Sequence, residues 1–329
     1  MSVIATGIGS LPGEDFPEAV RTVLGELPDL PHLPELPGRG AIAGMVGRAL
    51  AVLADLDADL QPAGWRLTGS GGSPGVDQRR ARSLLGQDLD TLEEVADGYD
   101  GAFKIQVTGP WTLAAAVERP RGDKLIADHG ARRELAQALA EGVRDHVRDV
   151  RRRLPGAARV VVQLDEPALP AVLAGRVPTA SGFGRHRSVD LPEASQALEW
   201  VLAAIAEEGS EPWVHSCAPG TPLDLLRGAG AQGLAVDLDV LTAADHDRLA
   251  EALEAGVTVA LGAVPSTDPD REISDKQVTE RVLRWLDMLG LDAQEASLAI
   301  TPACGLAGAT PAWSRRAMML ARTSAASLG

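Results

Sequence analysis

Short apolar, β-branched runs, each ending near a Gly, Pro or polar residue, alternate along this chain with longer segments of helical periodicity. That alternation restricts the fold more than any other feature. The runs fall at residues 3–9, 103–108, 159–165, 212–216, 233–237, 257–263 and 298–302, and each is apolar almost throughout, as strands buried on both faces must be. Between them, residues 132–154, 194–208, 242–255 and 274–289 place apolar side chains three and four apart with charged faces between. An eighth strand is expected near 65–68, where Gly and Pro flank a short run. Eight parallel strands alternating with helices predict an α/β chain folded as one (β/α)8 TIM barrel over residues 1–329. An open doubly wound sheet is the alternative, disfavoured because no early GxGxxG turn is present.

Charge and cysteine usage narrow the partners. The formal charge of −15 repels phosphate backbones and anionic lipid, so neither nucleic acid nor a membrane is expected. No apolar run approaches the ~18 residues of a spanning helix, and the opening residues lack the basic and apolar regions of a signal peptide. A cytoplasmic location is expected, where Cys217 and Cys304, the two cysteines of the chain, stay thiols unless something binds them. The Pro-rich stretch 27–39 reads as an ordered loop over one barrel end, with its leucines buried, in preference to a displayed polyproline ligand. The Gly-rich run 69–75 lacks the Lys-Ser/Thr of a phosphate loop and reads as a mobile loop.

In a barrel, functional side chains gather at the C-terminal strand ends. His215 and Cys217 follow the apolar stretch Pro212 to Val214 as His-Ser-Cys, and two residues apart on an extended segment they project to one face. Cys304 follows the last strand, and Asp237 ends the strand at 233–237. One imidazole, two thiolates and one carboxylate make a tetrahedral set suited to Zn²⁺. Each also has an ordinary reading, since a buried Cys is a small hydrophobe and a strand-end His often caps backbone. Asp165 and Glu166 end another strand, and adjacent side chains cannot share one face of it, so one points into the barrel mouth to meet an ammonium group. Both are candidate substrate ligands. In Ile8-Gly9-Ser10 the glycine admits a ligand to the backbone and Ser10 donates to a carboxylate.

Taken in chain order, Thr6-Gly7-Ile8-Gly9-Ser10, Val107-Thr108-Gly109-Pro110, Gln163-Leu164-Asp165-Glu166-Pro167, His215-Ser216-Cys217 and Cys304-Gly305-Leu306 resemble the catalytic barrel of cobalamin-independent methionine synthase. The resemblance spans nearly the whole chain and corresponds to the C-terminal half of the two-barrel enzymes. It implies a zinc-dependent methyltransferase acting on a thiol, homocysteine, to give methionine. His215, Cys217 and Cys304 become zinc ligands, and Asp237 stands where the family has a Glu, with Asp239 as the alternative. The Ile8-Gly9-Ser10 segment would hold the amino acid carboxylate and Asp165 its ammonium group.

Three departures bear on the methyl donor. The stretch matching the family's proton-donating His, residues 259–266, has no His; Ala307-Gly308-Ala309 replaces a basic tail; and no equivalent is apparent for a further Glu at the amino group. His129, His146 and Trp111 do not substitute for the missing His. These departures set against methyl-tetrahydrofolate, the family's donor, the alternatives of a methyl-corrinoid carried by another protein and of a more reactive sulfonium or small methyl compound. Two other functions fit less well: a non-catalytic zinc or amino-acid-binding protein, and a uroporphyrinogen-decarboxylase-type enzyme, which would need Arg at strand ends.

Overall fold

Residues 3–68 and 74–329 are described by the computed structural model. Strand β1 (Ile4–Ala5) is followed by helix α1 (Phe16–Glu26), α2 (Met45–Val52), the pair β2 (Ala58–Gln61) and β3 (Gly64–Leu67), and α3 (Val76–Val95). The βα rhythm then becomes regular. β4 (Ala102–Thr108) leads to α4 (Pro110–Ala116) and α5 (His129–Arg153), and β5 (Arg159–Asp165) to α6 (Leu169–Leu173) and α7 (Leu191–Glu207). β6 (Glu211–Ser216), β7 (Gly233–Asp237), β8 (Thr258–Val264) and β9 (Leu298–Pro302) are followed in turn by α8 (Leu223–Gly228), α9 (Ala243–Glu254), α10 (Asp275–Leu289) and α11 (Pro311–Leu328). Seven strands form one sheet in the order β1-β9-β8-β7-β6-β5-β4, all pairs parallel.

Closure of that sheet corrects two sequence expectations. The run at 65–68 does not join it, because β3 pairs antiparallel with β2 as a separate hairpin. The Pro-rich stretch supplies the eighth staves instead: residues 31–35 lie between β4 and β1, with parallel bridges His32 to Lys104 and Ser10 to Glu35. Leu33 N–H donates to Lys104 O at 2.8 Å and Lys104 N–H to Pro31 O at 2.8 Å; on the other edge Glu35 N–H donates to Gly9 O at 3.1 Å and Leu11 N–H to Glu35 O at 2.8 Å. Pro31 and Pro34 have no N–H to give, so the ladder is broken into isolated bridges. Burial compensates, since Leu27, Leu30, Leu33 and Leu36 are all 0% exposed, each worth roughly 2 kcal/mol against about 1 kcal/mol for a missing hydrogen bond.

The core has two parts. Between sheet and helices runs a continuous aliphatic shell, while a smaller cluster of Ile8, Leu30, Val161, Trp213, Ala235, Ala260 and Ala299 fills the barrel interior. Trp213 takes most of that space. Its neighbours are small for that reason, and a Cβ on Gly233 would collide with the indole. The run 69–75 lies mostly outside the described residues. Among the described residues, no helix is long and apolar enough to cross a membrane.

Candidate metal and amino-acid site

The side-chain period of two on β5 and β6 builds the site. Gln163 and Asp165 face inward from β5, and His215 and Cys217 from β6 and the residue just past it. Asp165 and His215 are register partners, and His215 Nδ1 lies 2.9 Å from Asp165 Oδ1. His215 Nε2 is buried and has no hydrogen-bond partner among the described residues. Cys217 and Cys304 arrive from opposite sides with Cα atoms 5.8 Å apart, and the ligand atoms of His215, Cys217 and Cys304 all lie within 4.8 Å of one another.

The two sulfurs are paired as a disulfide, where free thiols were expected. Barrel closure brings β6 and β9 loops together closely enough for either form, and a metal requires the reduced one. An imidazole whose Nδ1 is held by a carboxylate and whose Nε2 is buried without a partner fits a metal ligand, as do two adjacent sulfurs beside it. The donor set therefore fits zinc.

Asp237 is outside this cluster. It ends β7 half-buried, and its Oδ1 accepts from Asp239 N–H at 2.9 Å, capping the short turn that follows. Asp239 is turned outward in an ion pair with Arg281.

A cavity of about 220 Å³ opens beside the three ligands, lined by Ile8, Gly9, Ser10, Asp165, Cys217 and Cys304 among others. That volume suits an amino acid and falls below the ~300–1,000 Å³ usual for larger ligands. Asp165 Oδ1 is occupied by His215 and by Gln163 Nε2 at 2.8 Å, while among the described residues no hydrogen bond reaches Oδ2. Ser10 packs against Gly305, where a Cβ would strike its hydroxyl. Gly9 is needed for a reason other than ligand access: a Cβ there would meet the Gln106 side chain at 2.8 Å.

Glu166 corrects another expectation. The alternation along β5 turns it away from the cavity, where it accepts from Trp111 N–H at 2.8 Å and from Thr112 N–H and Oγ1–H at 2.8 and 2.7 Å. It holds the N-terminus of α4, and burial pushes its carboxyl up to about 7 against the pull of those donors. Gly109 is required there because a Cβ would collide with the carboxylate. Glu166→Ala leaves these buried donors unpaired, and an unfolding titration should show a loss of about 3 kcal/mol. An equal stability to wild type would show that α4 needs no such anchor.

Sequence reasoning missed Glu35. It ends the Pro-rich strand and, like Asp165, lines the cavity. Arg48 Nε stands 3.3 Å from Glu35 Oε1, and Arg48 is fixed by Asp88 at 2.9 Å, which also takes Arg39 through two bonds of 2.7 Å. Burial pushes the Glu35 carboxyl up to about 7 although Arg48 opposes the shift. A strand reading of 31–35 would have exposed it as a strand-end carboxylate. His129 pairs with Glu193 on the surface and His146 is buried on α5, so neither lines the cavity.

Residues 95–327 match the family described as cobalamin-independent synthase, catalytic domain. The chain belongs to this family. No curated protein sequence matches the chain. Among solved structures, a B12-independent methionine synthase from Shewanella sp. W3-18-1 in complex with selenomethionine is similar, with a TM-score of 0.65 and 15% identity over 99% of this chain and 97% of that one. An endo-beta-1,4-mannanase from Cellulomonas fimi is similar at TM-score 0.51 and 12% identity, over 99% of this chain and 70% of that one. At these identities the likeness is one of barrel fold. Family membership rests on the synthase domain match.

Proposed function

We propose that this member of the cobalamin-independent synthase family is a zinc-dependent methyltransferase whose acceptor is the thiol of homocysteine. The observation that carries the reading is the unpartnered, buried His215 Nε2 facing two cysteine sulfurs at the edge of an amino-acid-sized cavity. His215 and the reduced Cys217 and Cys304 hold the metal, and Asp237, at the end of the neighbouring strand, is the candidate for a fourth ligand. When bound, zinc supplies a Lewis acid that keeps a substrate thiol as thiolate at neutral pH.

The chain's own residues do the rest. Asp165 holds His215 by Nδ1, which leaves Nε2 as the ligating atom. Asp165 Oδ2 and Glu35 face the cavity as two carboxylates, and an ammonium group between them satisfies both. Ser10 and the backbone after β1 receive the substrate carboxylate. The similar Shewanella structure holds selenomethionine, a methylated selenium amino acid of the size this cavity takes.

The donor is a folate or a corrinoid carried by another protein. With Arg absent from the described cavity lining, a tetrapyrrole carboxylate finds no partner there, which disfavours the decarboxylase reading. Protein purified under reductant should contain one zinc per chain, and zinc-edge X-ray absorption should gain a sulfur neighbour when homocysteine is added. Zinc indifferent to homocysteine would defeat the proposal, whereas thiol binding without methyl transfer from either donor would leave a binding protein.

A further inference from the structure

Ile8, Pro37, Met45 and Pro167 give the cavity an apolar wall that the function proposed above does not use. Ile8 is locked into the interior cluster with Trp213, and the two proline rings move only with the backbone that bears them. Met45 differs from all three. It is half-buried, and among the described residues it packs in neither core cluster, so its side chain lines the cavity without being part of the core.

Its backbone, by contrast, is held firmly. Met45 opens α2 behind the Gly44 cap, and Thr108 at the end of β4 donates from Oγ1 to Met45 O at 2.9 Å. A Cβ on Gly47 would strike Ala41 O, so the turn before the helix packs directly on its first residues. Three residues on, and therefore on the same face of α2, Arg48 stands 3.3 Å from Glu35 and ties the helix to the cavity wall. A fixed root bearing an unbranched thioether fills an irregular gap closely.

We infer that Met45 is a specificity-determining residue that sets the greatest side-chain length of the thiol acceptor. This assignment rests on the proposed function for the two ends of the acceptor. Ser10, Asp165 and Glu35 hold the amino-acid end, and the metal held by His215, Cys217 and Cys304 holds the sulfur. All of these groups stand at strand ends of one closed barrel, so the span between the two ends is fixed. Homocysteine bridges it with two methylenes. A third methylene cannot lengthen the span and must bow sideways into the apolar wall, where Ile8 and the proline rings cannot retreat and Met45 fills the remaining room. Cysteine, one methylene short, fails to reach both ends whatever residue stands at 45. Met45 thus acts against longer thiols alone, an asymmetry that a general loosening of the site would not produce.

Calorimetric titration of the reduced, zinc-loaded full chain with cysteine, homocysteine and 2-amino-5-sulfanylpentanoic acid, one methylene longer, tests this. The wild type should bind homocysteine about 10–200-fold more tightly than the longer thiol, the range that one methylene commands. Met45→Ala, which removes Cγ, Sδ and Cε, should bring the two affinities to within a few-fold, whereas Met45→Leu, close in volume, should keep them apart. The ratio of homocysteine to cysteine should stay at its wild-type value in both variants, and thermal unfolding should be unchanged because Met45 packs in neither core cluster. Met45→Val, a smaller truncation, should shift the preference the same way and decides the matter if Met45→Ala does not fold. Equal wild-type affinity for homocysteine and the longer thiol overturns the inference, as does a truncated variant that binds homocysteine with the wild-type preference, or one whose affinities for cysteine and the longer thiol move together. In each of those cases homocysteine still binds and the proposed function stands. A zinc-loaded wild type that binds no homocysteine overturns the proposed function and this inference with it.

Discussion

Cys217→Ser and Cys304→Ser are each expected to fold into the same barrel and to lose zinc on dialysis, together with all transfer of a methyl group to homocysteine. Structural zinc sites contribute ~10–16 kcal/mol across four ligands, so one thiolate is worth roughly 3 kcal/mol, or on the order of 100-fold in affinity. A serine hydroxyl is not deprotonated at neutral pH and does not restore it. Folding survives because the aliphatic shell and the Trp213 cluster enclose the barrel without help from either sulfur. Metal analysis after dialysis under reductant, with circular dichroism alongside, checks both halves. A variant that keeps one zinc and wild-type turnover would show that this cysteine is not a ligand, and one that loses zinc yet keeps wild-type turnover would remove the metal from the mechanism.

Asp165→Asn is expected to lower kcat/KM for homocysteine by about 10²–10³ at unchanged fold. Asp165 Oδ1 meets His215 Nδ1, and the same side chain lines the cavity, where the proposed function gives it the substrate ammonium as a partner. An amide that sets its oxygen at the Oδ1 position still accepts from both Gln163 and His215, but it has no charge to hold the His215 proton or to meet an ammonium group. Losing one partner of a buried, hydrogen-bonded charge pair costs about 2–5 kcal/mol. The loss should appear in kcat and in KM together, with zinc affinity reduced about 10–100-fold. Wild-type KM in steady-state kinetics would place the ammonium elsewhere, with Glu35 as its partner.

The positions that carry the site were legible wherever a strand was legible. Period-two alternation put His215 and Cys217 on one face and separated Asp165 from Glu166, and the structure agrees on both. What alternation left open was which of the two carboxylates faces inward. That depends on the register of β5 against β4 and on the arrival of the α4 N-terminus, whose free N–H groups claim Glu166. Glu35 was hidden for a related reason. Its strand contains two prolines and pairs only through isolated bridges, so no local pattern marks it as a strand, and its place follows from the gap between β1 and β4.

By itself, then, the order of apolar runs and helical segments determined a parallel βα barrel, and the spacing of His215 and Cys217 determined that they share a face, because both consequences follow from backbone periodicity. The tertiary structure decided the rest. It brought Cys304 to Cys217, closed the barrel with a proline-rich strand, turned Glu166 outward and tied Met45 to the end of β4 beside the cavity. Each of these is a contact between residues far apart in sequence, and such contacts are set by sheet register and closure, which no local pattern encodes.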